Sequence, residues 1–123
     1  MTVNDYIISN IKDPLLKVLE IGPWHGFLSD ALHTNGINIH ASEVMKDAFL
    51  WTRKKPIQYP CYNLSYNDAL HLTDWDIVIA TNVIHHLSDP FLFLQKLTEN
   101  SKRIIISSTI LTDEPYKRTL EIW

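Results

Sequence analysis

Apolar runs of strand length alternate along this chain with segments whose apolar residues repeat at the helical period. This alternation is typical of a parallel sheet covered by helices. The helix at 45–54 is predicted to face the sheet with Met45, Phe49 and Leu50. Strands are predicted at 17–21, 37–42, 57–62, 75–81 and 103–108, and the other helices at 3–11, from Phe27 to just before Gly36, and at 91–98.

The order of these elements predicts an α/β fold, a Rossmann-like three-layer sandwich formed by one domain over residues 1–123. Right-handed crossovers arrange about five mainly parallel strands in the order 3-2-1-4-5. Strands 1 and 4 then meet at a switch point, where ligands bind at the carboxyl ends of strands. Three segments lie at such ends: Glu20–Gly26, Glu43 and Thr81–His86.

Composition narrows the class of protein. The single cysteine, Cys61, excludes an intrachain disulfide framework and fits a reducing compartment. No apolar run approaches membrane-spanning length and no signal pattern opens the chain, so we expect a soluble, cytoplasmic protein that does not bind membranes. The net charge of −3 does not indicate nucleic acid as a partner.

The turn after the first strand holds two of the three glycines in the chain, Gly22 and Gly26. Glycine permits positive φ angles and lets the backbone approach a ligand closely. A dinucleotide-binding loop would have the pattern G-x-G-x-x-G, but Trp24 stands where a close-approach glycine is needed. The negative charge of Glu20 suits a cationic ammonium or sulfonium group better than a pyrophosphate.

The segment from Val18 to Ser29, VLEIGPWHGFLS, resembles the first motif of class I S-adenosylmethionine-dependent methyltransferases, V-L-E/D-x-G-x-G-x-G. The resemblance implies that the loop backbone at Gly22 and Gly26, with Pro23 and Trp24 between them, cradles the methionine part of S-adenosylmethionine. It also implies that Glu20 lies near the cofactor's amino group. Since Trp24 departs from the motif, either the loop is displaced or the indole stacks over or partly blocks the pocket.

Glu43 ends the second strand, where a carboxylate can accept hydrogen bonds from both ribose hydroxyls of an adenosine. The methyltransferase pattern places an acidic residue at the same point, and Val44 and Met45 resemble its adenine-flanking positions. Asp68 is the best candidate for a contact to the adenine amino group, and Asn63 is its rival. Asp68 could equally cap a short helix.

Residues 76–90, DIVIATNVIHHLSDP, are similar to the fourth strand and following loop of these enzymes. By this resemblance, backbone carbonyls near Thr81 and Asn82 face the sulfonium end of the cofactor. His85 and His86 are candidate general bases, although one histidine of such a pair usually packs against the core. No metal site is predicted, because adjacent histidines project differently and lack partners at a familiar spacing.

The resemblance covers roughly residues 15–110 and indicates a minimal or C-terminally truncated family member. The sixth and seventh strands usual in the family are not predicted, which would leave an exposed edge on strand 5. A homo-oligomer or partner subunit covering that edge is one expectation, and a tail folded over it is another. The methyl acceptor is not predicted.

Three functions remain compatible with the sequence. The first is S-adenosylmethionine-dependent methyl transfer, and the second is a non-catalytic S-adenosylmethionine-binding domain or subunit that needs a partner chain. The third is a Rossmann-like enzyme with a nicotinamide cofactor, which Glu20 and Trp24 disfavour. Calorimetry with S-adenosylmethionine, its demethylated product and NAD separates the third from the first two.

Overall fold

A computed structural model describes residues 2–81, 83–111 and 117–122, without the side chains of residues 85, 108–111 and 117–122. The helices are α1 (Val3–Asn10), α2 (Phe27–Thr34), α3 (Lys46–Arg53), α4 (Tyr66–Leu70) and α5 (Pro90–Asn100). The strands are β1 (Lys17–Ile21), β2 (Asn38–Ser42), β3 (Cys61–Tyr62), β4 (Trp75–Thr81), β5 (Ser101–Leu111) and β6 (Lys117–Ile122). A 3₁₀ turn at Ile84–His86 follows β4.

The strands lie in the order β3-β2-β1-β4-β5-β6. The first five are parallel, which confirms the predicted α/β sandwich with the order 3-2-1-4-5. β1 pairs with β2 on one side and with β4 on the other, so the carboxyl ends of these three strands lie side by side. The switch point is therefore where the sequence places it.

The prediction that the sheet lacks a sixth strand is wrong. β6 pairs antiparallel with β5, in a register that runs from Ile106 opposite Ile122 to Leu111 opposite Lys117. The edge of β5 over 106–111 is thus covered by this chain's own tail, which removes the reason for expecting a partner subunit there. The tail shows only two alternating apolar residues, Leu120 and Ile122, too short a period-two pattern to identify a strand by itself.

Two apolar clusters cover the two faces of the sheet. On one face α1 and α2 contribute Ile7, Leu28 and Leu32, which pack against Val18 of β1. On the other face α4 and α5 contribute Leu70, Phe93 and Leu97 to a second cluster. Since β1 and β4 are buried on both faces, they form the centre of the sheet.

The third strand is shorter than its predicted range. It spans only Cys61–Tyr62, at the edge of the sheet, and Pro60 immediately before it accepts a hydrogen bond from the Ala41 N–H. Because proline has no N–H to donate to a neighbouring strand, the strand begins only after Pro60. The helix α4 that follows begins at Ser65, whose Oγ accepts the Asp68 N–H, so Ser65 and not Asp68 caps it.

Candidate functional site at the carboxyl ends of β1, β2 and β4

The turn between β1 and α2 contains three residues with left-handed backbone: Gly22 (φ 65°), Trp24 (φ 57°) and Gly26 (φ 77°). A Cβ on Gly22 would lie 2.7 Å from Val83 Cγ2, and one on Gly26 would lie 2.7 Å from the Tyr59 hydroxyl. Both glycines are therefore required by close packing against the protein itself. The loop is held tightly against the segment after β4 on one side and against Tyr59 on the other.

Trp24 is the one non-glycine residue with positive φ in the part of the chain that the structure describes. This backbone costs an L-residue roughly 1–2 kcal/mol. Two hydrogen bonds hold it: its N–H donates to Glu43 Oε1 (3.0 Å), and its carbonyl accepts from Thr52 Oγ1 (3.2 Å). The side chain is 56% exposed, so burial of the indole does not hold the residue in place.

Three of the loop N–H groups, those of Gly22, Trp24 and Gly26, donate hydrogen bonds within the protein. Gly22 donates to the Ser42 carbonyl at 2.9 Å, and Gly26 donates to the Pro23 carbonyl at 2.9 Å. The Gly22 bond to Ser42 and the Trp24 bond to Glu43 tie the loop to the end of β2, whereas the Gly26 bond to Pro23 closes the turn itself. A ligand that used these donors would have to replace existing hydrogen bonds.

Glu43 is buried directly after β2, with 3% of its surface exposed. Its Oε1 accepts the Trp24 N–H, and its Oε2 accepts the Met45 N–H at 2.9 Å. The Asn63 amide donates to the carbonyls of Glu43 (2.7 Å) and Val44 (3.2 Å). Of the two residues predicted to contact the adenine amino group, Asn63 therefore contacts the end of β2, whereas Asp68 lies on α4 with an exposed side chain.

Glu20 lies under the loop and faces α2. It is 2% exposed, and its Oε1 accepts a hydrogen bond of 2.5 Å from the Ser29 hydroxyl. Burial raises the pKa of Glu20 from 4.5 to about 7, against the opposing effect of the Ser29 hydrogen bond, and the negative charges of Asp30 and Glu43 raise it further. The side chain is therefore largely protonated below neutral pH.

Residues of α2 and of the segment between α3 and β3 form a brace that supports the loop from outside. Lys55 Nζ donates to Asp30 Oδ2 (2.6 Å) and to the His25 carbonyl (2.5 Å), and the Tyr59 hydroxyl donates to Asp30 Oδ1 (2.7 Å). Sequence reasoning missed this brace. Its members are 25 and 29 residues from Asp30 along the chain, and no motif marks such a separation.

The segment after β4 is mostly apolar. Val83, Ile84 and Leu87 pack against the second core cluster, and the His86 N–H donates to the Val83 carbonyl at 2.9 Å. The His86 side chain is exposed, and Thr81 is half-buried opposite Ser107 of β5. Asn82 and the side chain of His85 lie outside the described residues, so their predicted roles stay predictions.

The described residues hold no group of three or more His, Cys, Asp or Glu side chains arranged to bind a metal. Over the same ranges, the helices are too short or too polar for any of them to cross a membrane.

The comparisons with known proteins connect this fold with a class of enzymes. No protein-family model matches the chain, and no curated protein matches it by sequence. Solved structures do match. The YcgJ protein of Bacillus subtilis superposes with a TM-score of 0.75 at 15% identity, over 91% of this chain and 52% of that protein.

Two further matches are methyltransferases with cofactor or product bound. Magnesium protoporphyrin IX methyltransferase from Synechocystis PCC 6803, solved with bound SAM, gives a TM-score of 0.72 at 17% identity, over 96% of this chain and 76% of that protein. The plantazolicin methyltransferase BpumL, in complex with a monoazolic desmethylPZN analog and SAH, gives a TM-score of 0.70 at 15% identity, over 86% of this chain and 43% of that protein. This chain thus spans less than half the length of BpumL. The chain has the fold of the class I S-adenosylmethionine-dependent methyltransferases.

Proposed function

We propose that this chain binds S-adenosylmethionine at the carboxyl ends of β1, β2 and β4 and takes part in methyl transfer to an acceptor. The observation that carries the proposal is the contact between a left-handed glycine turn after β1 and a buried carboxyl group, Glu43, after β2. The two oxygens of such a carboxyl group can accept hydrogen bonds from both hydroxyls of a ribose. The fold shared with methyltransferases supports the same reading.

The residues have separate roles in this proposal. The backbone from Gly22 to Gly26 holds the methionine part, with Glu20 beneath it near the amino group. Glu43 accepts hydrogen bonds from the ribose hydroxyls. Val44, which is 65% exposed, lies beside the adenine. Asn63 or Asp68 accepts a hydrogen bond from the adenine amino group. The backbone carbonyls of Thr81 and Asn82 face the sulfonium group.

Methyl transfer is an in-line displacement at an activated carbon, so the chain's main tasks are to orient the acceptor and to exclude water. A general base is needed where the acceptor must lose a proton. His85 and His86 follow β4 and are the candidates for that base, since a neutral imidazole nitrogen can accept a proton.

Titration calorimetry with S-adenosylhomocysteine, S-adenosylmethionine and NAD tests the proposal. We expect binding of the first two and none of NAD. Glu43→Gln should weaken S-adenosylhomocysteine binding by roughly 1–3 kcal/mol, because an amide offers one acceptor oxygen where the carboxylate offers two. Glu99→Gln is the matched control: Glu99 lies on α5 and is bonded only to Gln95 among its described hydrogen bonds. Equal loss in both variants, or binding of NAD alone, would contradict the proposal.

A second candidate is a cofactor-binding domain without catalysis of its own. The engaged N–H groups of Gly22, Trp24 and Gly26 favour it, because they already donate to Ser42, Glu43 and Pro23 rather than toward a ligand. Radiolabelled methyl transfer from S-adenosylmethionine, measured against a panel of thiol, phenol, amine and carboxylate acceptors, separates the two. Cofactor binding without transfer to any acceptor would favour the second candidate.

A further inference from the structure

We propose that the outer edge of β6 is a self-association surface, on which a second copy of this chain pairs its own β6 antiparallel across a two-fold axis through Thr119. The proposal goes beyond cofactor binding and does not depend on it. Three observations carry it: the unpaired edge of the sheet, the position of β6 beyond the end of β4, and the order of charged residues along β6.

The two edges of the sheet differ in length. One edge is β3, Cys61–Tyr62, which is two residues long and follows Pro60. The other edge is β6, Lys117–Ile122, which spans six residues and contains neither proline nor glycine. Among the described strands β6 pairs only with β5, so the N–H and C=O groups on its outer side have no strand partner. An edge of this length can accept a further strand.

The sheet supports β6 over only part of its length. β4 ends at Thr81, opposite Ser107, whereas β5 continues over 108–111 and pairs there with residues 117–120. Beyond β4 these two segments form a ribbon of two strands. Such a ribbon is only marginally stable in water, and further strands stabilise it. Two copies that pair through β6 would convert two ribbons into one four-stranded antiparallel sheet.

Backbone geometry limits how β6 can pair with its own copy. Along a strand in an antiparallel pair, the N–H and C=O groups of successive residues point alternately to one neighbour and to the other. Every second residue of β6 therefore directs its backbone groups outward, and only two such residues can form a hydrogen-bonded pair. Two identical strands satisfy this condition only when one residue on the two-fold axis stands opposite itself.

The order of residues along β6 selects which residue lies on the axis. An axis through Thr119 places Lys117 of each copy opposite Glu121 of the other. An axis through Arg118 places that arginine opposite itself, and an axis through Leu120 brings no opposite charges together. Opposite charges and paired threonines stabilise an antiparallel pair, whereas like charges destabilise it. The strand is thus self-complementary about Thr119.

Sedimentation equilibrium of the full chain tests the proposal over protein concentrations from about 10 µM to about 1 mM, the range of a weak association. We expect the average mass to rise from one chain toward two. Lys117→Glu and Glu121→Lys each place like charges opposite each other on both sides of the axis, so each should weaken self-association about ten- to thirtyfold. Lys12→Glu and Glu99→Lys are the controls. They make the same changes in net charge at exposed residues outside β6 and should leave self-association unchanged.

A mixture of the two β6 variants provides the sharpest result. One variant carries two acidic residues at positions 117 and 121 and the other carries two basic residues, so each finds opposite charges only in the other. We expect the mixture, and the chain that carries both substitutions, to associate like the wild type. A wild type with the mass of one chain at every concentration would overturn the proposal and leave the edge to a different partner. Self-association that persists in both single variants, or a mixture that stays monomeric, would also overturn it.

Discussion

The turn after β1 and the turn after β4 lie at the ends of neighbouring strands but are constructed differently. The first is held by hydrogen bonds to Ser42 at the end of β2 and to Glu43 directly after it, and by bonds to Thr52 and Lys55 from outside. The second is held by apolar packing, with Val83, Ile84 and Leu87 against the core. Hydrogen bonds specify the directions of individual groups, whereas apolar packing specifies mainly shape. The first turn is therefore suited to recognising polar groups, and the second to forming one wall of a site.

The largest effect should come from the point where the two turns touch. Gly22→Ala adds a Cβ 2.7 Å from Val83 Cγ2 at a φ of 65°, so it should lower the free energy of unfolding by about 2–5 kcal/mol. Gly36→Ala is the control, since Gly36 has φ 82° and no atom within 4 Å of an added Cβ. It should cost only about 1–2 kcal/mol.

Urea denaturation of both variants measures the difference. Adding Val83→Ala to Gly22→Ala should recover part of the loss, because the clashing methyl group is removed. Equal costs at Gly22 and Gly36 would show that the two turns do not restrain each other.

The next effect concerns the buried acid beneath the first turn. The folded chain keeps the Glu20 proton up to about pH 7, whereas an unfolded glutamate loses it near 4.5. Between pH 4.5 and pH 7 the unfolded state therefore binds fewer protons than the folded state. The free energy of unfolding should then fall as the pH rises through this range. The contribution of this group to that fall should be about 3 kcal/mol.

Glu20→Gln keeps the acceptor for Ser29 and removes the titration. Urea denaturation at pH 5 and pH 8 should show the variant losing less stability than the wild type between the two conditions. The same pH dependence in both proteins would mean that Glu20 ionises freely.

A smaller effect is expected where the first turn meets β2. Glu43→Gln leaves one of the Trp24 and Met45 N–H groups without an oxygen acceptor, so the unligated protein should lose about 2 kcal/mol of stability. Thermal unfolding without ligand measures this loss. An unchanged melting temperature would show that the bond from Trp24 does not hold the loop closed.

The smallest effect should come from the outer brace. Lys55→Met breaks the ion pair with Asp30, whose two side chains are 14% and 18% exposed, at a cost of about 1–2 kcal/mol. Lys102→Met, in an ion pair whose lysine is 78% exposed, should leave urea stability unchanged. If the two substitutions have the same effect, the brace does not stabilise the first turn.

The sequence alone determined the central strands and their order. β1 and β4 begin and end at the predicted residues, Lys17–Ile21 and Trp75–Thr81, because a strand with apolar residues for both faces has one stable position in a covered sheet. The glycine turn and Glu43 were also predicted at neighbouring strand ends, since chain order and right-handed crossovers place them there.

Only the tertiary structure decided how these groups are used. Met45 and Leu50, predicted to face the sheet, are 54% and 42% exposed, while Ala48 and Thr52 are buried, because α3 is oriented by its contacts with the loop rather than by its own apolar pattern. The left-handed backbone of Trp24 and the pairing of β6 with β5 likewise depend on residues distant in the chain. Local patterns encode which face a segment can bury, but the partner of a buried polar group is fixed only when the whole chain has packed.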